Sequence, residues 1–184
     1  MRGVEVEIRD SNGNNCDERT VGEIFVRSDS LFSGYFGDAA GTANVLRDGW
    51  LQTGDLGYLS EGQLYFCGRS KDLVIIGGRN VNPDAVELAI LESTGLLPDQ
   101  VAVFGIPDER KGTEAMIVVL GGTRLRDTAW DEMERLVRHA VQRSVGVVPD
   151  LVLSVRRGWI VRTASGKRDR NAMRRRFLTE SGVN

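Results

Sequence analysis

Asp55 follows a Thr53-Gly54 turn, and a carboxylate so placed can accept two hydrogen bonds from a vicinal diol such as a ribose presents. Its surroundings, Gly49-Trp50-Leu51-Gln52-Thr53-Gly54-Asp55-Leu56-Gly57, are also open to a reading in which Asp55 only organises a turn. Further on, Gly68-Arg69-Ser70-Lys71-Asp72 leads through Leu73-Val74-Ile75-Ile76 into Gly77-Gly78-Arg79-Asn80. Arginine carries a planar fork that suits phosphate and ribose oxygens. Glycines at 77 and 78 would let a ligand chain pass close to the backbone. A β-hairpin edge with solvated charges and a glycine turn would use the same residues. The third segment is Arg162-Thr163-Ala164-Ser165-Gly166-Lys167. A lysine on a loop of small residues can swing its point charge onto negative charge developing at a carboxylate or phosphate. An exposed basic turn is the structural alternative. No Gly-x-x-x-x-Gly-Lys-Ser/Thr spacing occurs, so this is not a Walker A loop.

The elements that must hold these segments can be read from period and punctuation. Val4, Val6 and Ile8 alternate with Glu5, Glu7 and Arg9 at the period of a half-buried strand. Ser11 to Asn15 is a turn by composition, and Gly22 to Arg27 reads as the next strand. A chain that opens inside a strand pattern reads as a piece of something longer. Strands and turns are expected up to Gly68, including Gln63 to Cys67 after the turn Ser60-Glu61-Gly62. After Lys71 the character changes. A short apolar strand over Leu73 to Ile76 is expected to precede a helix from Pro83, with Asn82 as N-cap and Gly95 as its stop. Val86, Ala89 and Ile90 would be that helix's buried stripe.

Val101 to Ile106 and Ala115 to Leu120 read as strands, joined by the polar loop Pro107 to Gly112. Trp130, Met133, Val137, Ala140 and Val141 mark an amphipathic helix with Trp130 in the core and His139 at the surface. A strand over Leu151 to Val155 and a basic helix over Arg170 to Glu180, capped by Asp169, complete an α+β arrangement. Two pieces are expected, residues 1–70 and 71–184.

Composition narrows the classes. Apolar residues make up 41% and charged residues 27% of the 184 residues, a balance that can fill a core and is too apolar for a disordered chain. Net charge is −2, so there is no global pull toward nucleic acid or membrane. Residues 155–177 hold nine arginines or lysines against the single acid Asp169, yet few aromatics interleave and no nucleic-acid module is recognisable. A solvated basic helix, or a patch that attracts phosphates or an acidic protein, is the expectation there. No apolar run approaches a transmembrane length, and no signal peptide is seen, so a cytoplasmic protein is expected. Cys16 and Cys67 make neither a disulfide framework nor a zinc site.

Taken together and in order, the segments resemble the adenylate-forming superfamily of acyl-CoA synthetases, peptide-synthetase adenylation domains and luciferases. Gly22-Glu23-Ile24-Phe25-Val26-Arg27, Gly34-Tyr35-Phe36 and Asp48-Gly49-Trp50 lead into Thr-Gly-Asp as in that family. Gly105-Ile106-Pro107-Asp108 through Gly112 looks like its Gly-x-Pro-Asp loop. The stretch Lys71 to Asn80 with Pro83 is most similar to fatty acyl-AMP ligases and fatty acyl-CoA synthetases. Two positions depart from the pattern: Val161 stands where proline is common, and Arg168 where an apolar residue usually follows the lysine.

The resemblance implies a β-rich end of a large adenylation domain, part of its barrel subdomain, over 1–70, and a small mobile α+β domain over 71–184. It implies that Asp55 binds the ribose hydroxyls of ATP or AMP, that Arg69 reaches ribose and phosphate, and that Lys71 is the hinge. Gly77 would line the path of a pantetheine arm with Arg79 near it, and Lys167 would stabilise attack of a carboxylate on the α-phosphate. The implied reaction joins a carboxylic acid, a fatty acid by preference, to ATP as acyl-AMP. Transfer to the thiol of CoA or a carrier-protein phosphopantetheine would follow, with magnesium accompanying ATP. The family's phosphate loop and acyl pocket lie upstream of these segments, so the chain alone is expected to be inactive. The alternative is a non-catalytic module that docks a carrier protein.

Overall fold

The structure, a computed structural model, describes residues 3–122 and 127–181. The protein is a mixed α+β fold in two compact units, one ending at Lys71 and the other beginning at Asp72.

The first unit is a five-stranded sheet. β1 (Val4–Arg9) pairs antiparallel with β2 (Gly22–Ser28), where Ile8 stands opposite Ile24 and both are buried. A short helix α1 (Ala39–Val45) and the two-residue β3 (Leu46–Arg47) precede the long β4 (Trp50–Ser60). β4 is the centre of the sheet, pairing with β2, with β3, and with β5 (Gln63–Arg69). Trp50 is buried, with the guanidinium groups of Arg9 and Arg27 at 4.9 and 4.6 Å from its ring centroid. Those contacts fix it as a packing residue. Helix α1 is absent from the sequence reading because it buries nothing and has no apolar stripe. Its signal is local: Asp38 accepts a 2.7 Å hydrogen bond from the Gly41 amide at its start.

A 3₁₀ turn over Ser70–Asp72 leads to the second unit. There a hairpin of β6 (Val74–Ile76) and β7 (Arg79–Val81) precedes α2 (Pro83–Thr94). Asn82 caps α2 by accepting from the Asp84 amide at 2.9 Å, and Gly95 ends it in the left-handed conformation. β8 (Val101–Asp108) and β9 (Thr113–Gly121) form a long antiparallel pair. α3 (Asp127–Val145) then carries the chain across to β10 (Leu151–Val155), which joins β9 in parallel, a pairing that needs such a crossover. α4 (Arg170–Ser181) closes the unit, with Asp169 accepting from the Ala172 amide at 2.9 Å as its cap.

The three-stranded sheet, in the order β10-β9-β8, is covered on both faces. One core gathers Val101, Val103, Met116, Val118 and Val152 against Val86 and Ile90 of α2 and Val137 and Val141 of α3. The other gathers Ala102, Phe104, Ile117 and Val119 against Trp159 and against Met173 and Phe177 of α4. Burial on both faces accounts for the unbroken apolar runs in β8 and β9.

Four further details differ from the sequence reading. The ladder continues to the pair Asp108–Thr113, leaving only residues 109–112 as loop. β7 emerges because pairing with β6 imposes strand geometry on Arg79 to Val81, which carries no alternating pattern. On α2, Glu87 is buried where Ala89 is only half-buried. The basic stretch is no uniformly solvated face, since Arg170 is buried and Arg168 nearly so. Trp130 packs half-buried against the α2–α3 core, and His139 is exposed. Among the described residues no helix is long and apolar enough to cross a membrane.

Candidate functional site

Asp55 and Arg69 are brought face to face by strand pairing: they are direct partners across β4 and β5. Between Phe25–Gln52 and Glu23–Leu56, three residues of β4 stand against one of β2. This bulge at Thr53-Gly54-Asp55 re-aims the carboxylate out of the ladder. The Thr53 hydroxyl pins it, donating to Ile24 O at 2.8 Å and accepting from the Asp55 amide at 3.1 Å. Asp55 Oδ1 lies 3.0 Å from Arg69 Nε, an ion-pair distance. The alignment is not that of a hydrogen bond, so this buried oxygen has an unfilled acceptor position. The carboxylate is about a third exposed. A polarised acceptor beside a guanidinium fork can take a hydroxyl pair while the arginine faces an anion. Ser70 Oγ donates to Gly54 O at 3.1 Å and ties the 3₁₀ turn back to the bulge, while Lys71 within it is exposed.

Gly77 and Gly78 form the two-residue turn of the β6–β7 hairpin, with φ of +55° and +78°. Two consecutive positive φ values are what a turn matching the strand twist demands. The hairpin is anchored from β9: Thr113 Oγ1 accepts from the Gly77 amide at 2.9 Å and donates to Ile75 O at 2.6 Å, and Glu114 Oε2 accepts from the Ile75 amide at 2.7 Å. Gly105 lets this hairpin sit close, because a Cβ there would come within 2.8 Å of Val74 and 2.9 Å of Glu114. At Gly77 the opposite holds. An added Cβ would meet nothing within 4 Å, so the turn borders space that a slender chain can occupy. Arg79 is exposed, and its Nη1 would lie 3.1 Å from a Cβ added at Gly146, just past the end of α3.

Lys167 sits on a tight loop. The Thr163 amide donates to Lys167 O at 2.7 Å and the Gly166 amide to Thr163 O at 2.9 Å. Arg162 Nη1 donates to Gly166 O at 2.8 Å. Lys167 Nζ has no hydrogen bond or ion pair with any described residue, so its charge is free to be used. Arg168, which departs from the family pattern, has a structural explanation. Its Nε and Nη2 donate to Val101 O at 3.0 Å and Pro98 O at 2.7 Å, and its Nη1 lies 3.0 Å from Glu87 Oε2. It anchors the loop.

Sequence reasoning passed over Glu87, Arg168 and Arg170 as a set. Two signals were available: a glutamate on the apolar side of α2, and arginines on either side of Asp169, the cap of α4. Burial raises the Glu87 carboxyl above its usual value, against the pull of Arg170, Arg168 and the Val103 amide. Burial by itself would lower the Arg170 value, but Glu87 and Asp84 outweigh it.

Against known proteins, no family model matches the chain. Over 131 residues it is 43% identical to a putative acyl-CoA ligase, YdaB, of Bacillus subtilis, a span of 69% of this chain and 26% of that protein. Over 179 residues it is 36% identical to the long-chain-fatty-acid–AMP ligase FadD26 of Mycobacterium tuberculosis, covering 87% of this chain and 30% of that one. A solved structure of the fatty acyl-adenylate ligases from E. coli and L. pneumophila superposes with a TM-score of 0.82 at 31% identity, over 99% of this chain and 32% of the other. The chain therefore spans about 26–30% of the length of the curated relatives it matches.

Proposed function

We infer, because this chain belongs to the adenylate-forming family of acyl-CoA ligases and fatty acyl-AMP ligases, that it supplies the nucleotide-facing edge and the mobile small domain of such an enzyme. The reaction is the joining of a fatty acid or other carboxylic acid to ATP, giving acyl-AMP and pyrophosphate, followed by transfer to the thiol of CoA or a carrier protein. The observation that carries this reading is the partly exposed Asp55 carboxylate that strand pairing and the bulge set beside Arg69. A ribose diol would donate to the exposed face of that carboxylate, with Arg69 directed at ribose and phosphate.

Lys71 is the pivot between the two half-reactions. In the first, Lys167 brings its unpartnered ammonium to the carboxylate as it attacks the α-phosphate, where a preplaced charge acts on charge that develops only in the transition state. In the second, the Gly77 turn lies along the pantetheine arm and Arg79 lies near it. Rotation of a small domain to serve two chemistries is lid closure used twice. Magnesium would accompany the phosphates of ATP and supply charge neutralisation there; among the described residues no group of three or more His, Cys, Asp or Glu side chains converges to hold a metal.

ATP–pyrophosphate exchange with a fatty acid tests the reading, using an active fusion of this chain to the large domain of a related ligase. Asp55→Asn should raise the ATP KM by about tenfold or more, since a charged acceptor paired with a diol contributes roughly 1.5–3 kcal/mol. An Asp55→Asn fusion with unchanged ATP KM and kcat would remove the nucleotide role.

A further inference from the structure

We propose that Glu87 is the positioning residue for Lys167: through Arg168 and Arg170 it fastens both the base of the Lys167 loop and the first residue after Lys71 to one sheet edge. The consequence for catalysis rests on the reading of Lys167 and Lys71 above; the fastening itself does not.

β8 is an edge strand, and the outward carbonyls of Val101 and Val103 lack a neighbouring strand. Arg168 and Arg170 replace one. Arg168 Nε donates to Val101 O at 3.0 Å and Arg170 Nε to Val103 O at 3.1 Å. Arg168, on the extended stretch before α4, and Arg170, the first residue of α4, thus reach carbonyls two apart on one strand edge. Glu87, 2% exposed, completes the edge: its Oε1 accepts from the Val103 amide at 2.9 Å and from Arg170 Nη2 at 3.0 Å. Its Oε2 makes an ion pair with Arg168 Nη1 at 3.0 Å, without the alignment of a hydrogen bond. One carboxylate thus stands between both arginines.

Each arginine then carries the fastening to a functional segment. Arg168 directly follows Lys167, whose carbonyl closes the loop at Thr163. The Lys167 backbone is therefore set by the anchored Arg168, while its ammonium stays free. Arg170 reaches Asp84 at 2.6 Å and Asp72 at 3.4 Å. Asp72 is the residue after Lys71, so the chain is already held from Asp72 onward and swivelling is confined to Lys71 and the residues before it. The loop and the exit from the pivot consequently turn as one body. A buried ion cluster is a poor source of net stability compared with apolar packing, and its better attested use is to specify one geometry.

Amide hydrogen exchange on the 184-residue chain tests the fastening. In Glu87→Gln, which keeps shape and removes charge, amides within 162–169 and 70–73 should exchange about tenfold faster or more, while those of 115–120 in β9 keep their protection. Unchanged exchange at 162–169, or a uniform loss that includes β9, overturns the proposal. Where Glu87→Gln does not fold, Arg168→Gln is measured in its place, with the same pattern required at 162–169. In an active fusion to a related large domain, Glu87→Gln should lower the adenylation kcat by about tenfold with the ATP KM within twofold, and should add nothing in a Lys167→Ala background. Full additivity with Lys167→Ala overturns the positioning role. If Lys167→Ala itself leaves adenylation unchanged, the reading of Lys167 fails instead, and the exchange pattern still judges the fastening.

Discussion

Lys167 and Arg69 are expected to fail differently when cut back to alanine in an active fusion. Lys167→Ala should slow adenylation by about 10²–10³, the scale for one lost electrostatic stabiliser, and leave thiol transfer from supplied acyl-adenylate nearly intact. Arg69→Ala should weaken both steps, since Arg69 belongs with Asp55 beside the nucleotide. Rates of the two half-reactions measured separately check this; equal losses for Lys167→Ala would make the lysine structural. A pH effect belongs to the same scale. Trp159 Nε1 donates to Glu180 Oε2 at 2.7 Å and Arg176 Nε to Oε1 at 2.8 Å, and these bonds hold the Glu180 carboxyl below its usual value of about 4.5. A carboxyl depressed by folding contributes stability that is complete above its unfolded value and is lost as pH falls through the folded one. The Trp159 indole N–H resonance should therefore hold steady down to about pH 4.5 and move below it, whereas Glu180→Gln should leave it flat there. Asp55, Arg69, Lys71, Gly77, Arg79 and Lys167 were all nameable from sequence because each sits in a run of unusual residues. Glu87 was not, because its partners lie far along the chain and only folding brings them together.

At the scale of elements, the Gly77 turn separates conformational from steric demands. With open space at its Cβ position and φ at +55°, Gly77→Ala should cost only the left-handed backbone, about 1 kcal/mol. Phe104→Ala should cost about 3–5 kcal/mol, because Phe104 is fully buried, stacks on Trp159 at 6.3 Å and meets Phe177 edge-on at 5.9 Å. Chemical denaturation of both variants checks the contrast. Strands with period or apolar runs, and helices with caps such as Asn82 and Gly95, were legible because their signals are local. Helix α1 and strand β7 were not. The first rests on a cap without a core face, and the second exists only through its pairing with β6. The bulge that aims Asp55 is likewise a product of pairing, since one extra stretch in β4 has meaning only against β2.

For the whole molecule, the compact units meet in sequence at Lys71 and Asp72, and an exposed lysine in a 3₁₀ turn suits a protease. Trypsin at low ratio should cut first at Lys71 or Arg69 and release two resistant pieces, seen by mass spectrometry. A first cut within 101–120 would contradict that. The chain alone should leave ATP–pyrophosphate exchange at background, as its length is under a third of the relatives it matches. The change of character after Lys71 was visible as a switch from strand-and-turn text to mixed elements. The way the basic stretch turns inward was not visible, since a run of arginines reads the same whether solvated or buried.

The fastened edge of β8 also bears on how the polypeptide emerges from the ribosome. Val101 and Val103 must wait for arginines 67 residues later in the chain before their outward carbonyls are occupied. Until then the nascent chain carries Val101-Ala102-Val103-Phe104 with a bare edge, the kind of segment that recruits other chains into cross-β aggregates. Chains ended between β10 and Arg168 should accordingly precipitate, although they contain every strand of the sheet, and a chaperone that holds nascent chains should be needed most until residues 168–170 have been made.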